Sequence, residues 1–357
     1  MVIVWIKDRV IGSCTIIDWV RVLTIVLLSI SPTFSWTNEI YVRQVGHDID
    51  LDIVQDGDSN KIRSLNTVSG DAVLSGNDKT VSLTQEGDNN RIGVWTSGAD
   101  QTITVVQKGD GNVSAVDNHG NDNTINVDIE GDSNVTHTEI GNGGDVDNTL
   151  NVTIEEGDSN NVYTEVLNGS DNTINVHIAK QDGNINRITV NGNDNDIKGW
   201  QGKHEDGSVD ADETGDNDLY WIVVGNDNVL ESYQTDDRGN GGQHIANYIT
   251  GDDNTVKHTQ RGSGDHEGFI EINGDNNNVE LLQRGNNNEM FADIVLDDGH
   301  TVDVAQRNAN HTSNIDLTNG GGAYTLNVSQ MAGTAQSYNL TGTCTNATGC
   351  ALTINQN

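Results

Sequence analysis

The sequence predicts an all-β chain, a β-solenoid of two-arm coils in which strand, turn and strand repeat, with about 22 residues per coil. Three observations carry this reading. Turn glycines recur every eleven residues at Gly76, Gly87, Gly98, Gly109, Gly120 and Gly131. Between them apolar and polar residues alternate with period two, the mark of a half-buried strand, and no helical period appears beyond residue 35. The 357 residues include 40 Gly and one Pro, Pro32, with 33% apolar and 4% aromatic residues.

Low hydrophobicity combined with a formal charge of −36 is the usual signature of disorder, because too little apolar area is available to offset conformational entropy. Here, however, the enriched residues are Gly, Asn, Asp, Val, Ile and Thr, which form corners and strands. The charge argues against nucleic acid and anionic membranes as partners, since both need basic patches. Cations are its natural counterpart, and solubility in salty surroundings accounts for it equally.

Residues 1–35 stand apart from the rest. Arg21 precedes the apolar run Val22–Ile30, which is followed by Ser31, Pro32, Thr33, Phe34 and Ser35. The run is shorter than the roughly 20 residues a bilayer-spanning helix needs. Thr33 and Ser35 occupy the −3 and −1 positions of a cut before Trp36, so the segment reads as a signal peptide. Its long preface fits translation starting near Val20, and a retained signal anchor is the alternative. The mature chain, 36–357, is then secreted and does not insert into the membrane once the leader is removed. It keeps Cys344 and Cys350, which flank a five-residue loop and are expected to pair in an oxidising compartment, tying down the last coil.

The corners follow one chemistry. Gly is followed by Asp or Asn, and Asn stands two residues later, as in Gly57-Asp58-Ser59-Asn60, Gly87-Asp88-Asn89-Asn90, Gly131-Asp132-Ser133-Asn134, Gly157-Asp158-Ser159-Asn160 and Gly274-Asp275-Asn276-Asn277. These residue types tolerate positive φ and bond their own backbone in tight turns. Gly46, Gly109, Gly120, Gly251 and Gly285 complete the set.

The strands lie between the corners, as in Asn90–Val94, Asn123–Ile129, Asn172–Ile178 and Asn277–Gln283. Ile, Val, Leu, Gln and Asn are expected to face inward, and Thr, Asp, Glu, Lys and His outward. Gln85 and Gln107, then Gln260, Gln283, Gln306 and Gln330, recur at 22 to 24 residues. Stacked coils bring such residues into register about 4.8 Å apart, so amides form hydrogen-bonded ladders and aliphatic side chains dry stacks. Roughly 14 coils would fit, giving a rod on the order of 65 Å long. Segments 199–214 and 235–243 break the period and are expected to be rim loops.

These residues resemble the curlin repeat of bacterial curli fibre subunits, which runs Gln-x-Gly-x-x-Asn, two small or apolar residues at alternate positions, and Gln. Gln44–Gln55 is the closest stretch, and Gln55–Ile62, Gln85–Ile92, Gln107–Asn112 and Gln283–Asn288 are also similar. The resemblance implies inward ladders of Gln44, Gln55, Asn60, Gln85, Asn90, Gln107, Asn112, Asn134, Asn160, Gln260, Asn277, Gln283, Asn288, Gln306, Gln330 and Gln356. It also implies subunits that stack into extracellular fibres of a biofilm matrix or adhesive surface, with self-association, other fibre subunits or a host surface as partners. The chain departs from the pattern where Ile49 replaces the turn Asn of the first unit, and in two further ways. Ile129, Glu155, Leu167, Ile249 and Ile272 replace the first Gln in some units, and the array is several times longer than a curli subunit's.

Three other classes find less support in the residues. Acidic turns such as Gly251-Asp252-Asp253 offer oxygen ligands for calcium, yet the calcium-binding β-roll repeats every nine residues with paired glycines, so only weak, nonspecific calcium and no cofactor is expected. An enzyme would need converging carboxylates or histidines. Asp and Glu are everywhere, and His137, His177, His204, His244, His258 and His266 are scattered and read as outward. Exposed Trp95, Trp200 and Trp221 could stack on sugars in an adhesin.

Overall fold

The computed structural model describes residues 3–6 and 38–356, apart from 46–47, 64–72, 99, 120–121, 141–147, 171, 181–182, 184, 202–216, 237–242, 263–265, 285–287, 293–300, 308–310, 318–324, 332–335 and 343–350. All described secondary structure is β, and the chain winds as a β-solenoid with roughly 24 residues per turn.

One face is a fourteen-stranded sheet in sequential order, in which every strand but the first runs parallel to its neighbours. Its parallel strands are Ile49–Val54, Lys79–Thr84, Gln101–Gln107, Thr124–Ile129, Thr149–Glu156, Thr173–Lys180, Asp196–Gln201, Val229–Asp236, Thr255–Gly262, Asn278–Arg284, Thr301–Arg307, Thr325–Met331 and Ala351–Gln356. The second face is split into a sheet of four short strands and a sheet of nine. The four are Arg43–Val45, Val73–Ser75, Thr96–Ser97 and Asn118–His119, and the nine run from Thr138–Glu139 to Gln336–Gly342. At about 4.8 Å per strand, thirteen coils make a rod on the order of 60 Å long.

Register is kept by like standing on like. Thr149, Leu150, Asn151, Val152 and Ile154 pair with Thr173, Ile174, Asn175, Val176 and Ile178. A slip of one residue would turn the aliphatic column out to solvent, so the alternation itself fixes the pairing. Most first-face strands send two or three aliphatic side chains inward, such as Leu51 and Ile53, Ile103 and Val105, or Val302 and Val304. They join one continuous core from Ile49 to Val328. Across from them the early coils place small hydroxyl residues, Thr96, Ser114, Thr136 and Thr164, so the core is thin. That is why a third of apolar residues suffices, each coil being covered by its neighbours.

The eleven-residue glycine spacing alternates between two corners of different geometry. After the first face, Asp58, Asp88, Asp110, Asp132 and Asp158 take φ of 76 to 82°. Before it, the positive φ moves one residue on, to Asp78, Asp100, Asp122, Asp194, Asp227, Asp253 and Asn276, at 49 to 58°. At Gly76, Gly98, Gly225, Gly251 and Gly274 this second corner also needs a positive φ of 109 to 146°. Gly225 has φ 146°, and a Cβ there would lie 1.5 Å from the Gly192 carbonyl oxygen.

The fold departs from the sequence reading in several places. Residues 90–94 are not a regular strand, because Arg91 and Gly93 take φ of 147° and 82°, although Ile92 and Val94 still point inward. Residues 199–201 belong to the strand Asp196–Gln201, residues 235–236 to Val229–Asp236 and residue 243 to Gln243–Thr250 rather than to loops, and residues 202–216 and 237–242 lie outside the described residues. Coil length varies: Asn90 and Asn112 are 22 residues apart, Asn148 and Asn172 are 24, and Asn195 and Asn228 are 33. The longest coil carries the insert 202–216 and still returns to register, Asp196 pairing with Val229. Within the expected leader, Ile3–Ile6 pairs antiparallel with Ile49–Val54 at the edge of the first coil.

Candidate functional site

The repeated chemistry of this chain lies in its inward amides, which the parallel register places one above another. The first-face strands end on a Gln column just before the corner. Gln55 donates to Gln85 at 3.3 Å, and after Gln107 the column passes to Ile129, Ile154 and Ile178. It resumes with Gln234 donating to Gln201 at 2.9 Å, Gln260 to Gln234 at 3.4 Å, Gln283 to Gln260 at 2.7 Å and Gln306 to Gln283 at 3.2 Å. Gln330 and Gln356 continue this column by backbone register. In the early coils the amide oxygen also serves the corner, where Lys61 N–H donates to Gln85 Oε1 and Val113 N–H to Gln107 Oε1. Buried amides lose water, so a partner in the next coil is what makes them tolerable.

Asparagine forms two further columns, one at each corner. In the first, Asn90 donates to Asn60 at 3.1 Å, Asn112 to Asn90 at 2.9 Å and Asn134 to Asn112 at 2.8 Å, and Asn160 donates to Asn134. In the second, Asn148 donates to Asn172, Asn172 to Asn195, Asn195 to Asn228, Asn228 to Asn254 and Asn254 to Asn277, all at 2.8 to 3.0 Å. Most of these oxygens also accept the next backbone N–H, as in Asn254 N to Asn277 Oδ1 at 2.8 Å. The second column absorbs Asn277 and includes Asn195 and Asn228, which the sequence marks as the ends of the corners Gly192-Asn193-Asp194-Asn195 and Gly225-Asn226-Asp227-Asn228, Asn172, which it marks as a strand start, and Asn148 and Asn254, none of them among the expected ladder residues. Gln201 and Gln234 were missed as well. The signal was present, since Asn opens strand after strand two or three residues past a glycine.

The aliphatic column breaks in the strands Asp196–Gln201, Val229–Asp236 and Thr255–Gly262, where Gly199, Ser232 and His258 stand in place of Val. From the opposite face the fully buried Trp221 fills the space. A Cβ on Gly199 would lie 2.7 Å from its ring, and its ring packs edge-on against His258 with centroids 5.7 Å apart. Ser232 Oγ and Asn247 Nδ2 touch the two ring nitrogens of His258. Burial drives the His258 pKa down to about 3, so the imidazole is neutral and positioned by its hydrogen bonds. A Ser–His–Asn contact sealed from solvent cannot meet a substrate, and its role is packing.

Three expectations are corrected here. His258 is inward rather than outward, and Trp221 and Trp200 are buried, at 0% and 8% exposure, so only Trp95 at 39% fits an exposed ring. Trp200 lies on the outer side of the first face, stacked on Tyr233 with centroids 6.3 Å apart. Lys79, an outward type, occupies an inward position, and burial lowers its pKa to about 8.

Of the other expected site residues, Gln44 lies in Arg43–Val45 on the second face, paired with Leu74, and so outside the Gln column. Asn288 opens a second-face strand opposite His266. Gly57, Gly87, Gly109, Gly131 and Gly157 line the first corner, and Gly251 and Gly274 the second. Gly46, Gly120, Gly285, Cys344 and Cys350 lie outside the described residues. Among the described residues no cluster of three or more His, Cys, Asp or Glu is placed to hold a metal ion. Nor is any described helix long and apolar enough to cross a membrane.

Nothing matches among the curated proteins or among the solved structures. A family model does match: residues 76–109 fit the curlin associated repeat, a stretch of more than one coil that contains Gln85, Asn90 and Gln107. The chain therefore carries a curlin repeat within a longer β-solenoid of the same construction.

Proposed function

We propose that the protein is a secreted, curli-like structural component of the cell exterior that associates with itself by stacking solenoid coils end to end into fibres of a surface or matrix. The observation that carries this reading is the in-register Asn and Gln columns, an arrangement any further coil can extend. The curlin repeat and the solenoid fold fit a structural protein rather than an enzyme. In this reading the leader is cut before Trp36. The cut removes Ile3–Ile6 from the edge of Ile49–Val54 and opens that edge to another copy. Cys344 and Cys350 pair in the exterior and staple the last coil, and no nucleic acid, membrane or specific calcium site is involved.

The heavy negative charge opposes stacking, and salt screens it. Fibre growth from the mature protein, followed by amyloid-dye fluorescence and negative-stain microscopy, should therefore accelerate with added salt or divalent ions. A mature protein that stays monomeric at every ionic strength would sink fibre assembly. It would favour the second reading, a monomeric host-binding or calcium-binding surface solenoid.

A further inference from the structure

Six coils in succession each place an aromatic or cationic side chain on the outer side of the second face, and each side chain touches the next. His137 packs on Tyr163 with centroids 4.9 Å apart, and the Arg187 guanidinium lies 5.3 Å from the Tyr163 ring and 5.6 Å from the Tyr220 ring. Tyr220 meets Tyr248 at 5.6 Å, and Tyr248 meets Phe269 at 5.4 Å. The register explains the line: Tyr163, Arg187 and Tyr220 are successive strand partners, followed by Ala246 and Phe269. At the Ala246 step Tyr248, two residues on, bridges its neighbours. The rings are half-buried and Arg187 is exposed, so the stripe faces solvent. Glu139, Glu165, Asp218 and Glu271 flank it.

We propose that this stripe binds a cationic amino-sugar polymer, whose rings stack on the aromatic side chains and whose ammonium groups meet the flanking carboxylates. Arg187 already shows that the face holds a cation between two tyrosine rings, where the ring quadrupoles attract it. Charge complementarity favours a polycation on a chain of net charge −36 and repels anionic polymers. The stripe repeats once per strand, about 4.8 Å, so it offers a row of ring faces to successive rings of an extended polymer. A basic peptide gains less here. Peptides join sheets at free edges, and the backbone on this face is paired from coil to coil. Binding needs only the folded solenoid and is independent of fibre assembly.

The test is calorimetric titration of the soluble mature chain with a β-1,4-linked glucosamine hexasaccharide. Saturable binding is expected. The paired Tyr220→Ala and Tyr248→Ala variant should weaken it by about tenfold or more, while the paired Tyr→Phe variant keeps it. Arg187→Gln removes the resident cation and should tighten it, since a ligand ammonium then takes that place. The fully N-acetylated hexasaccharide, without ammonium groups, should bind at least about tenfold more weakly. If the alanine pair, shown by circular dichroism to be folded, binds as well as the parent, the stripe is not the site. If hexalysine binds as tightly as the sugar and ignores the tyrosine changes, the face is only an acidic surface and the proposal falls.

Discussion

His258 shows how far one buried side chain can set a condition on the whole fold. Its native pKa of about 3 lies below the unfolded value of 6.5, so the unfolded chain binds the proton more readily. The resulting stability is fully present above pH 6.5 and is lost as pH falls toward 3. At pH 4.5 the loss amounts to about 2–3 kcal/mol. His258→Gln, which cannot titrate, should flatten this part of the acid limb in denaturant titrations repeated across pH. A parent-like acid limb in that variant would place the sensitivity elsewhere. Gly225 makes the complementary case for backbone. Gly225→Ala meets both a forbidden φ and the Gly192 carbonyl, and should cost about 2–4 kcal/mol, read as faster amide exchange in the coils around it. Neither residue stood out by type alone. The glycine was legible from its corner motif, Gly225-Asn226-Asp227-Asn228, but the histidine was not, because its inward position depends on Trp221 crossing from the other face to meet Gly199.

At the scale of the strand, the Gln column makes a prediction that a single-residue view misses. Gln201 sits where amide gives way to Ile178, whereas Gln260 donates to Gln234 and accepts from Gln283. Gln201→Ile extends the aliphatic run, breaking one contact of the amide ladder and a long hydrogen bond to the Asp218 carbonyl, and should cost about 1 kcal/mol. Gln260→Ile strands two buried amides and should cost about 2–4 kcal/mol. Urea unfolding of the two variants decides this, and equal costs would mean that the amides act singly rather than as a ladder. Alternation and corner chemistry made the strands and the first-corner asparagines legible. Two things hid the rest. Sequence period does not tell which of two corners an Asn occupies, and insertions such as 202–216 stretch the spacing from 22 to 33 residues without disturbing register. Residues 90–94 were misread because alternating burial survives there on a backbone with positive φ.

For the whole molecule, charge and stacking pull in opposite directions. The columns can be extended by any chain with matching inward residues, while 54 acidic against 18 basic residues keep copies apart at low salt. Assembly should therefore respond to ionic strength far more than folding does, because the coils are held by buried contacts that salt does not screen. Both rest on the winding, in which residues 22 to 33 positions apart stand one strand spacing from each other. Disulfide trapping tests it, in a chain whose Cys14, Cys344 and Cys350 are replaced by Ser. Lys257 and Glu280 are strand partners with outward side chains, so Lys257→Cys with Glu280→Cys should close an intramolecular disulfide rapidly under mild oxidation. Thr259→Cys with Glu280→Cys is displaced by two residues along the same outward side and should not close. Equal trapping of both pairs, or of neither, would contradict the in-register solenoid.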